Sequence, residues 1–356
     1  MTENIVIYGA GAIGSQIAGR MYGAGHPVTV IEPWEPQRRA MQQSGITIHN
    51  EMDGRPDEHY TPPVISPNEL SKLDGPISTL LLCVKSYDTL GSLNIALPHL
   101  ASDGLVVSMQ NSLNEEWIAP IIGTERTVGG VILINAVLLE PGHVTLTSSV
   151  SRASSTQRDL PGVYVGEYLA PVGEKARHVA SLINSVWPAL TVDDLMHERW
   201  SKLASNTMMN TVSAISGLRS SLALRSPDVR RLIVAIAAET VRVSAAEKHP
   251  LQTLMGDYSA DDIFAAAEGR STVVDEGLTK RAALVSESAT TSMLQDVLRG
   301  RKTEVDYFTG LIAAKGATHG IETPFCNAAT EIVHRVEAGL AASTENIADV
   351  FRLVND

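Results

Sequence analysis

Cysteine is almost absent: Cys83 and Cys326 are the only two in 356 residues. Two isolated thiols supply neither a disulfide framework nor a zinc-type ligand spacing, and they suit a reducing compartment. Cys83 lies inside the apolar run Ile77–Val84 and reads as buried strand packing. Positive charge is also in short supply, 28 Lys and Arg against 40 Asp and Glu, for a net charge of −12. That balance argues against a nucleic acid or an anionic membrane as the main partner, while leaving small anions open to local basic groups. No apolar run approaches the ~20 residues of a membrane helix. The N-terminus, Met1-Thr2-Glu3-Asn4, lacks the basic start of a leader. The expectation is a soluble cytoplasmic protein without a membrane partner. There is no internal repeat and no low-complexity tract; Ser148–Arg158 is a polar loop.

What is present is apolar residue in quantity, 44 % of the chain, enough for two cored domains. In the first half, short β-branched runs alternate with helical stretches. Ile5–Tyr8, Pro27–Glu32, Ile77–Lys85, Gly104–Asn111, Thr127–Leu139, His143–Thr147 and Gly162–Gly166 read as strands, and 12–24 as a helix. Continuous apolar runs mark strands buried on both faces, so a mostly parallel sheet covered by helices is expected. Beyond Trp187-Pro188 the texture changes. Residues 194–217, 227–247, 260–268, 280–298, 303–319 and 324–340 carry helical periodicity, and 250–280 reads as an irregular, polar loop with a short helix. The expected division is an α/β domain over 1–192 and an all-helical domain over 193–356.

Gly9-Ala10-Gly11-Ala12-Ile13-Gly14 follows the first strand and opens a helix. In that setting the first glycine makes the tight turn and the second lets backbone approach a pyrophosphate. The third brings helix and strand together, with the anion on the helix N-terminus. Glu32 ends the second strand, where an acid bonds a ribose 2′-hydroxyl and repels a 2′-phosphate; NAD is therefore preferred. Arg38 or Arg39 could instead pair that phosphate, which keeps NADP as the alternative. Lys85 and Gln110-Asn111 end two further strands, where ligands bind in doubly wound sheets.

Lys202, Asn206 and Asn210 are spaced by four within a helical pattern and share one stripe. Hydride arriving at a carbonyl carbon builds negative charge on the oxygen, and an ammonium aimed there stabilises it and donates a proton. Two amides beside it can hold an oxygen-rich molecule in register without adding charge. His197 and His319 are the rival acids near the expected cleft. His197 lies roughly 140° around the helix from Lys202 and reads as a surface or junction residue.

These pieces occur in a familiar order. Gly9–Gly14, Val84-Lys85, Gln110-Asn111, Lys202–Asn210, Ser292–Asp296, Thr303–Asp306 with Gly310, and finally Pro324 and Asn327 together resemble the ketopantoate reductase (2-dehydropantoate 2-reductase) family. The resemblance implies a Rossmann-type doubly wound α/β domain followed by an all-α domain like the C-terminal domain of 6-phosphogluconate dehydrogenases. It implies reduction of a 2-keto acid by a nicotinamide cofactor in an active site lying between the two domains. By matching motifs, Lys202 would be the general acid, Asn206 and Asn210 would hold substrate, and Ser292 would bind its carboxylate. Glu304 would stand near nicotinamide and lysine. Lys85 and Asn111 would contact the cofactor, with Asn111 also touching substrate. A homodimer is expected, and Ala328, Ile332, Val333 and Val336 of 327–340 offer either a dimer face or core.

The chain departs from the family pattern in places. Ser112 stands where the family usually has glycine, Glu32-Pro33-Trp34 replaces a basic residue, Ser220 replaces a substrate-touching asparagine, and 250–280 is long. An NAD-linked dehydrogenase of another 2-hydroxy acid, an opine-type dehydrogenase and a non-catalytic dinucleotide-binding redox sensor are the competing readings.

Overall fold

Ile5, Val6, Ile7 and Tyr8 are all buried, as expected of a strand with cover on both faces. They form β1 (Ile5–Tyr8), and α1 (Ala12–Gly23) follows after the glycine turn. The computed structural model describes residues 3–50, 54–147, 161–254 and 258–355. The polar stretch Ser148–Arg158 lies outside the described residues. The chain forms two compact units, Met1–Glu198 and Arg199–Asp356.

The first unit continues with β2 (Val28–Ile31), α2 (Glu35–Ser44), β3 (Ile46–His49), β4 (Glu58–Tyr60), β5 (Val64–Ile65), β6 (Ile77–Leu82), α3 (Thr89–Ala96), β7 (Leu100–Ser108) and α4 (Glu115–Ile122). It closes with β8 (Thr127–Ile132), β9 (Ala136–Glu140), β10 (His143–Leu146), β11 (Val163–Glu167), α5 (Glu174–Ile183) and β12 (Ala189–Thr191). Eight strands make one sheet in the order β12-β11-β8-β7-β6-β1-β2-β5. Neighbours run parallel except β8 and β11. Alternate residues of each strand feed opposite faces. Ile5 and Ile7 pack with Ile17 and Met21 of α1, whereas Val6 and Tyr8 pack with Leu93 of α3. This is the doubly wound α/β architecture.

Two expectations need correction here. Thr127–Leu139 is two strands, not one: β8 stays in the main sheet, and β9 turns away to pair with β10. The hairpin closes at Pro141-Gly142, where Gly142 has φ +83°, a left-handed conformation that glycine adopts at little cost. A second sheet, β4-β3-β10-β9, results. β6 and β7 also end earlier than expected, at Leu82 and Ser108, so Lys85 and Gln110-Asn111 occupy the loops just beyond them. Arg20 of α1, 6 % exposed, joins that second sheet through Glu58 at 3.0 Å and Asn50 at 3.0 Å. Buried guanidinium groups need such partners.

The second unit is helical: α6 (Leu195–Ser216), of which the residues from Arg199 belong here, α7 (Ser220–Arg225), α8 (Pro227–Ala246), α9 (Ala260–Ala267) and α10 (Val273–Ala282). α11 (Ser292–Leu298), α12 (Thr309–Thr318), α13 (Pro324–Glu337) and α14 (Glu345–Asn355) complete it. The expected helix over 280–298 is broken. α10 ends at Ala282, and Ser286, Ser288, Thr290 and Thr291 bond locally: Ser288 N–H to Ser286 Oγ, Thr290 Oγ1 to Ser288 O, and Leu294 N–H to Thr291 Oγ1. Short hydroxyl side chains compete with helix bonds in this way and cap the next helix instead. α9 falls on the expected helix over 260–268, whereas most of α10 occupies part of 250–280 that was expected to be loop. Ala328, Ile332, Val333 and Val336 are buried within the unit, so they serve its core rather than a dimer face.

α13 starts at Pro324, and its next two amides, Phe325 and Cys326, donate to Glu239 of α8 at 2.8 and 2.7 Å. Glu239 is 2 % exposed, and burial pushes its carboxyl above the ordinary value while those donors hold it down. Glu239→Leu strands two N–H groups beside an apolar side chain. The expected loss is about 2–4 kcal/mol, read from the urea midpoint. No helix among the described residues is long and apolar enough to cross a membrane.

Candidate active site

The loops after β7, β6, β1 and β2 lie side by side, because those strands are parallel neighbours in that order. With adjacent strands about 4.8 Å apart, Asn111, Lys85, Gly9–Gly14 and Glu32 share one edge of the sheet. Gly9 has φ +94°, and a Cβ there would come within 2.8 Å of Val84 and 3.0 Å of its backbone nitrogen. A Cβ on Gly14 would stand 1.9 Å from Gly9 O, so α1 packs against the turn only because residue 14 is glycine. Gly11 differs: a Cβ there would meet nothing within 4 Å. Open space therefore lies over the N-terminus of α1, which has neither a side-chain cap bond nor an acidic residue in its first turn. Ala12 and Ile13 begin that turn, half-buried. Unpaired amides, the positive helix end and missing side-chain bulk together fit a dinucleotide pyrophosphate.

Glu32 is 4 % exposed and already committed on both oxygens, accepting Ala10 N–H at 2.5 Å and Trp34 N–H at 2.6 Å. Burial pushes its carboxyl above the ordinary value, against those two amides. Arg38 donates to the backbone carbonyls of Glu32 and Pro33 at 2.9 and 3.2 Å, which places its guanidinium beside this acid. Lys85 and Asn111 are both half-buried.

A polar network unread in the sequence stitches their loops together. Gln110 donates to Val84 O at 3.1 Å and Thr89 Oγ1 at 2.7 Å, and Asn114 donates to Ser86 Oγ and to Asn111 O. Ser112 adopts φ +68° and is 4 % exposed. Glycine would occupy that left-handed turn without steric cost, and serine is an unusual occupant.

In the second unit, Lys202, Asn206 and Asn210 lie one turn apart along α6. Asn210 is 7 % exposed. Its Oδ1 accepts the Ser292 hydroxyl at 3.0 Å and the Met293 amide at 3.1 Å, and its Nδ2 donates to Asn206 Oδ1 at 3.2 Å. Ser292, Asn206 and Asn210 are thus one hydrogen-bonded group. Glu304, 3 % exposed, and Arg199, 1 % exposed, are the charged groups acting on Lys202. Burial pushes the Lys202 ammonium down to about 7, helped by Arg199 and opposed by Glu304. Neither rival histidine joins this group. His319 bonds Glu247 at 2.6 Å beside Lys315, and the His197 amide bonds Asp194 at 2.9 Å. Arg199 escaped the sequence reading because a buried arginine has no periodic sign; its adjacency to Trp200, fully buried, was the available hint.

Residues 5–153 match the family described as ketopantoate reductase PanE/ApbA, and residues 194–337 match the ketopantoate reductase PanE/ApbA C terminal. The chain belongs to the ketopantoate reductase family. A 2-dehydropantoate 2-reductase of Archaeoglobus fulgidus is 28 % identical over 345 residues, covering 95 % of this chain and 99 % of the relative. Among solved structures, D-mandelate dehydrogenase with NADH and anilino(oxo)acetate superposes with a TM-score of 0.76 at 22 % identity, covering 95 % and 99 % of the two chains. A dimeric ketopantoate reductase from Staphylococcus aureus superposes with a TM-score of 0.67 at 16 % identity, covering 94 % and 99 %. At those identities the structures speak for the fold shared across this family.

Proposed function

We propose that this ketopantoate reductase family member reduces the 2-keto group of ketopantoate or a closely related 2-keto acid, with Lys202 as general acid. The observation that carries this reading is a lysine on the same helix stripe as two amides, and burial pushing its ammonium down to about 7 supports it. A reduced nicotinamide held at the Gly9–Gly14 turn would supply hydride to the carbonyl carbon. The chain supplies the rest. Lys202 Nζ bonds the carbonyl oxygen, stabilises the charge that develops there and delivers the proton that completes the alcohol. Asn206 and Ser292 bind the acid, and Glu304 keeps part of the lysine population charged by opposing the effect of burial. Gly9, Ala10, Gly11, Ala12, Ile13 and Gly14 form the pyrophosphate turn, with Lys85 and Asn111 along the same sheet edge. In this reading 1–192 serves the cofactor and 193–356 the substrate.

NAD is the proposed cofactor, supported by Glu32 just beyond β2, where a 2′-phosphate would meet a carboxylate. The Arg38 guanidinium beside it is what would favour NADP. The proposed assembly is a homodimer, supported by the likeness to a dimeric ketopantoate reductase from Staphylococcus aureus. A second reading, oxidation of a bulkier 2-hydroxy acid, draws on the likeness to D-mandelate dehydrogenase. A panel of 2-keto acids with NADH and NADPH, and of 2-hydroxy acids with NAD and NADP, decides. Ketopantoate turnover with NADH is the expected result. Amine-dependent oxidation of NADH with pyruvate would favour an opine-type enzyme, and NADH binding without turnover of any acid would favour a sensor.

A further inference from the structure

Gln37 of α2 is buried, 1 % exposed, and main chain engages both ends of its amide. Its nitrogen donates to Ala10 O at 2.9 Å and to the Ser15 hydroxyl oxygen at 3.1 Å. Its oxygen accepts the Gly142 N–H at 2.8 Å, across 105 residues of sequence. A carbonyl only accepts and a main-chain N–H only donates, so these two partners permit one orientation of the amide. Ser15, fully buried, brings a second donor to Ala10 O at 2.7 Å. A link therefore runs from the β9–β10 hairpin of the second sheet, through one side chain of α2, to the glycine turn ahead of α1.

What the link fixes there is a peptide plane. No peptide bond among the described residues is cis. In a planar trans peptide the C=O and the following N–H point in opposite directions. Two buried donors hold Ala10 O inward, and the Gly11 N–H consequently faces outward. Gly11 is exposed, and a Cβ on it would meet nothing within 4 Å. The peptide before it is held as well, because Ala10 N–H donates to Glu32.

We infer that Gln37 is a positioning residue for the dinucleotide: it holds the Ala10–Gly11 peptide with its N–H toward the pyrophosphate, and the second sheet holds Gln37 through Gly142. This rests on the cofactor reading above and gives the second sheet a part in it. Without the Gln37 donor that peptide is freer to rotate, since glycine at its C-terminal side imposes little steric restraint. A rotated peptide presents a carbonyl oxygen to the phosphates instead of a donor.

The test turns on Gln37→Met, which keeps the length of the side chain and removes both polar ends. Calorimetric titrations are run at a temperature where wild type and variant are both folded. NADH and ADP-ribose, which carry the pyrophosphate, are expected to bind at least tenfold more weakly to the variant. Adenosine, which lacks it, should bind within twofold of wild type. Gly142→Ala, strained at φ +83°, disturbs the hairpin end of the link. It should weaken NADH at least threefold in the wild-type background and leave it nearly unchanged on Gln37→Met, where the link is already cut. Unchanged NADH affinity in Gln37→Met would reduce Gln37 to a packing residue. An equal loss for adenosine would mean a general loosening of the first unit, and equal effects of Gly142→Ala on both backgrounds would detach the hairpin from the turn. Each of these overturns the inference and leaves the glycine turn standing as the cofactor site. Wild-type protein that binds neither NADH nor NADPH defeats the cofactor reading itself. If Gln37→Met does not fold, Ser15→Ala removes the other donor to Ala10 O. It must then weaken NADH and ADP-ribose at least threefold while sparing adenosine, and binding of all three as in wild type overturns the inference.

Discussion

Lys202→Met is expected to lower turnover of the keto acid by about 10³-fold or more, with NADH affinity within twofold of wild type. Methionine keeps most of the apolar stem and removes only the ammonium, so the loss reports the proton and the charge it places on the carbonyl oxygen. The pH dependence has a definite sign. Reduction requires Lys202 as ammonium, and burial beside Arg199 brings that group down to about 7. The kcat/KM for the keto acid should therefore be flat below about 7 and fall tenfold per pH unit above it. Oxidation of the hydroxy acid needs the neutral amine and should rise through the same midpoint. Stopped-flow NADH oxidation across pH 5.5–9 checks both limbs. Turnover within tenfold of wild type in Lys202→Met would remove Lys202 from the chemistry.

Local features were legible in the sequence and non-local ones were not. The Gly9–Gly14 turn could be read because glycine spacing follows from steric limits a few residues wide, and the structure meets those limits at Gly9 and Gly14. The α6 stripe could be read because a spacing of four is itself the geometry of a helix face. The partner of that stripe could not, since the Met293 amide that orients Asn210 is main chain and carries no sign in the sequence. The role of Glu239 had no sign in the sequence, because the amides it caps lie 86 and 87 residues further on. The second sheet was hidden for the same reason. Its central pair, β3 with β10, joins His143 to Thr47, and strands of three to five residues leave little alternation to detect. The false helix over 280–298 shows the opposite failure. Ala282, Ala283, Val285 and Ala289 keep a helical rhythm through a stretch whose hydroxyl side chains bond locally.

Gly11→Ala and Gly14→Ala are expected to fail in different ways, although both remove a glycine from one motif. At Gly14 the added Cβ stands 1.9 Å from Gly9 O and 3.0 Å from Cys83 Cβ, and main chain cannot swing aside as a flexible side chain would. α1 must lift from β1, at a cost of about 3 kcal/mol or more. Low soluble yield or a melting temperature lowered by several degrees should appear with no ligand present. At Gly11 the added Cβ meets nothing within 4 Å, and φ −68° suits any residue. The apo protein should lose no more than about 1 kcal/mol, the order of a poorer N-cap. Its defect should emerge only when NADH is added, because the methyl occupies the space through which the pyrophosphate approaches the α1 amides. Wild type should gain thermal stability with rising NADH as binding draws on the folded state. Gly11→Ala should need at least tenfold more NADH for the same gain. If Gly11→Ala binds NADH as wild type does, the open space over Gly11 is not the pyrophosphate site, and the cofactor must lie elsewhere along the edge shared by Lys85, Asn111 and Glu32.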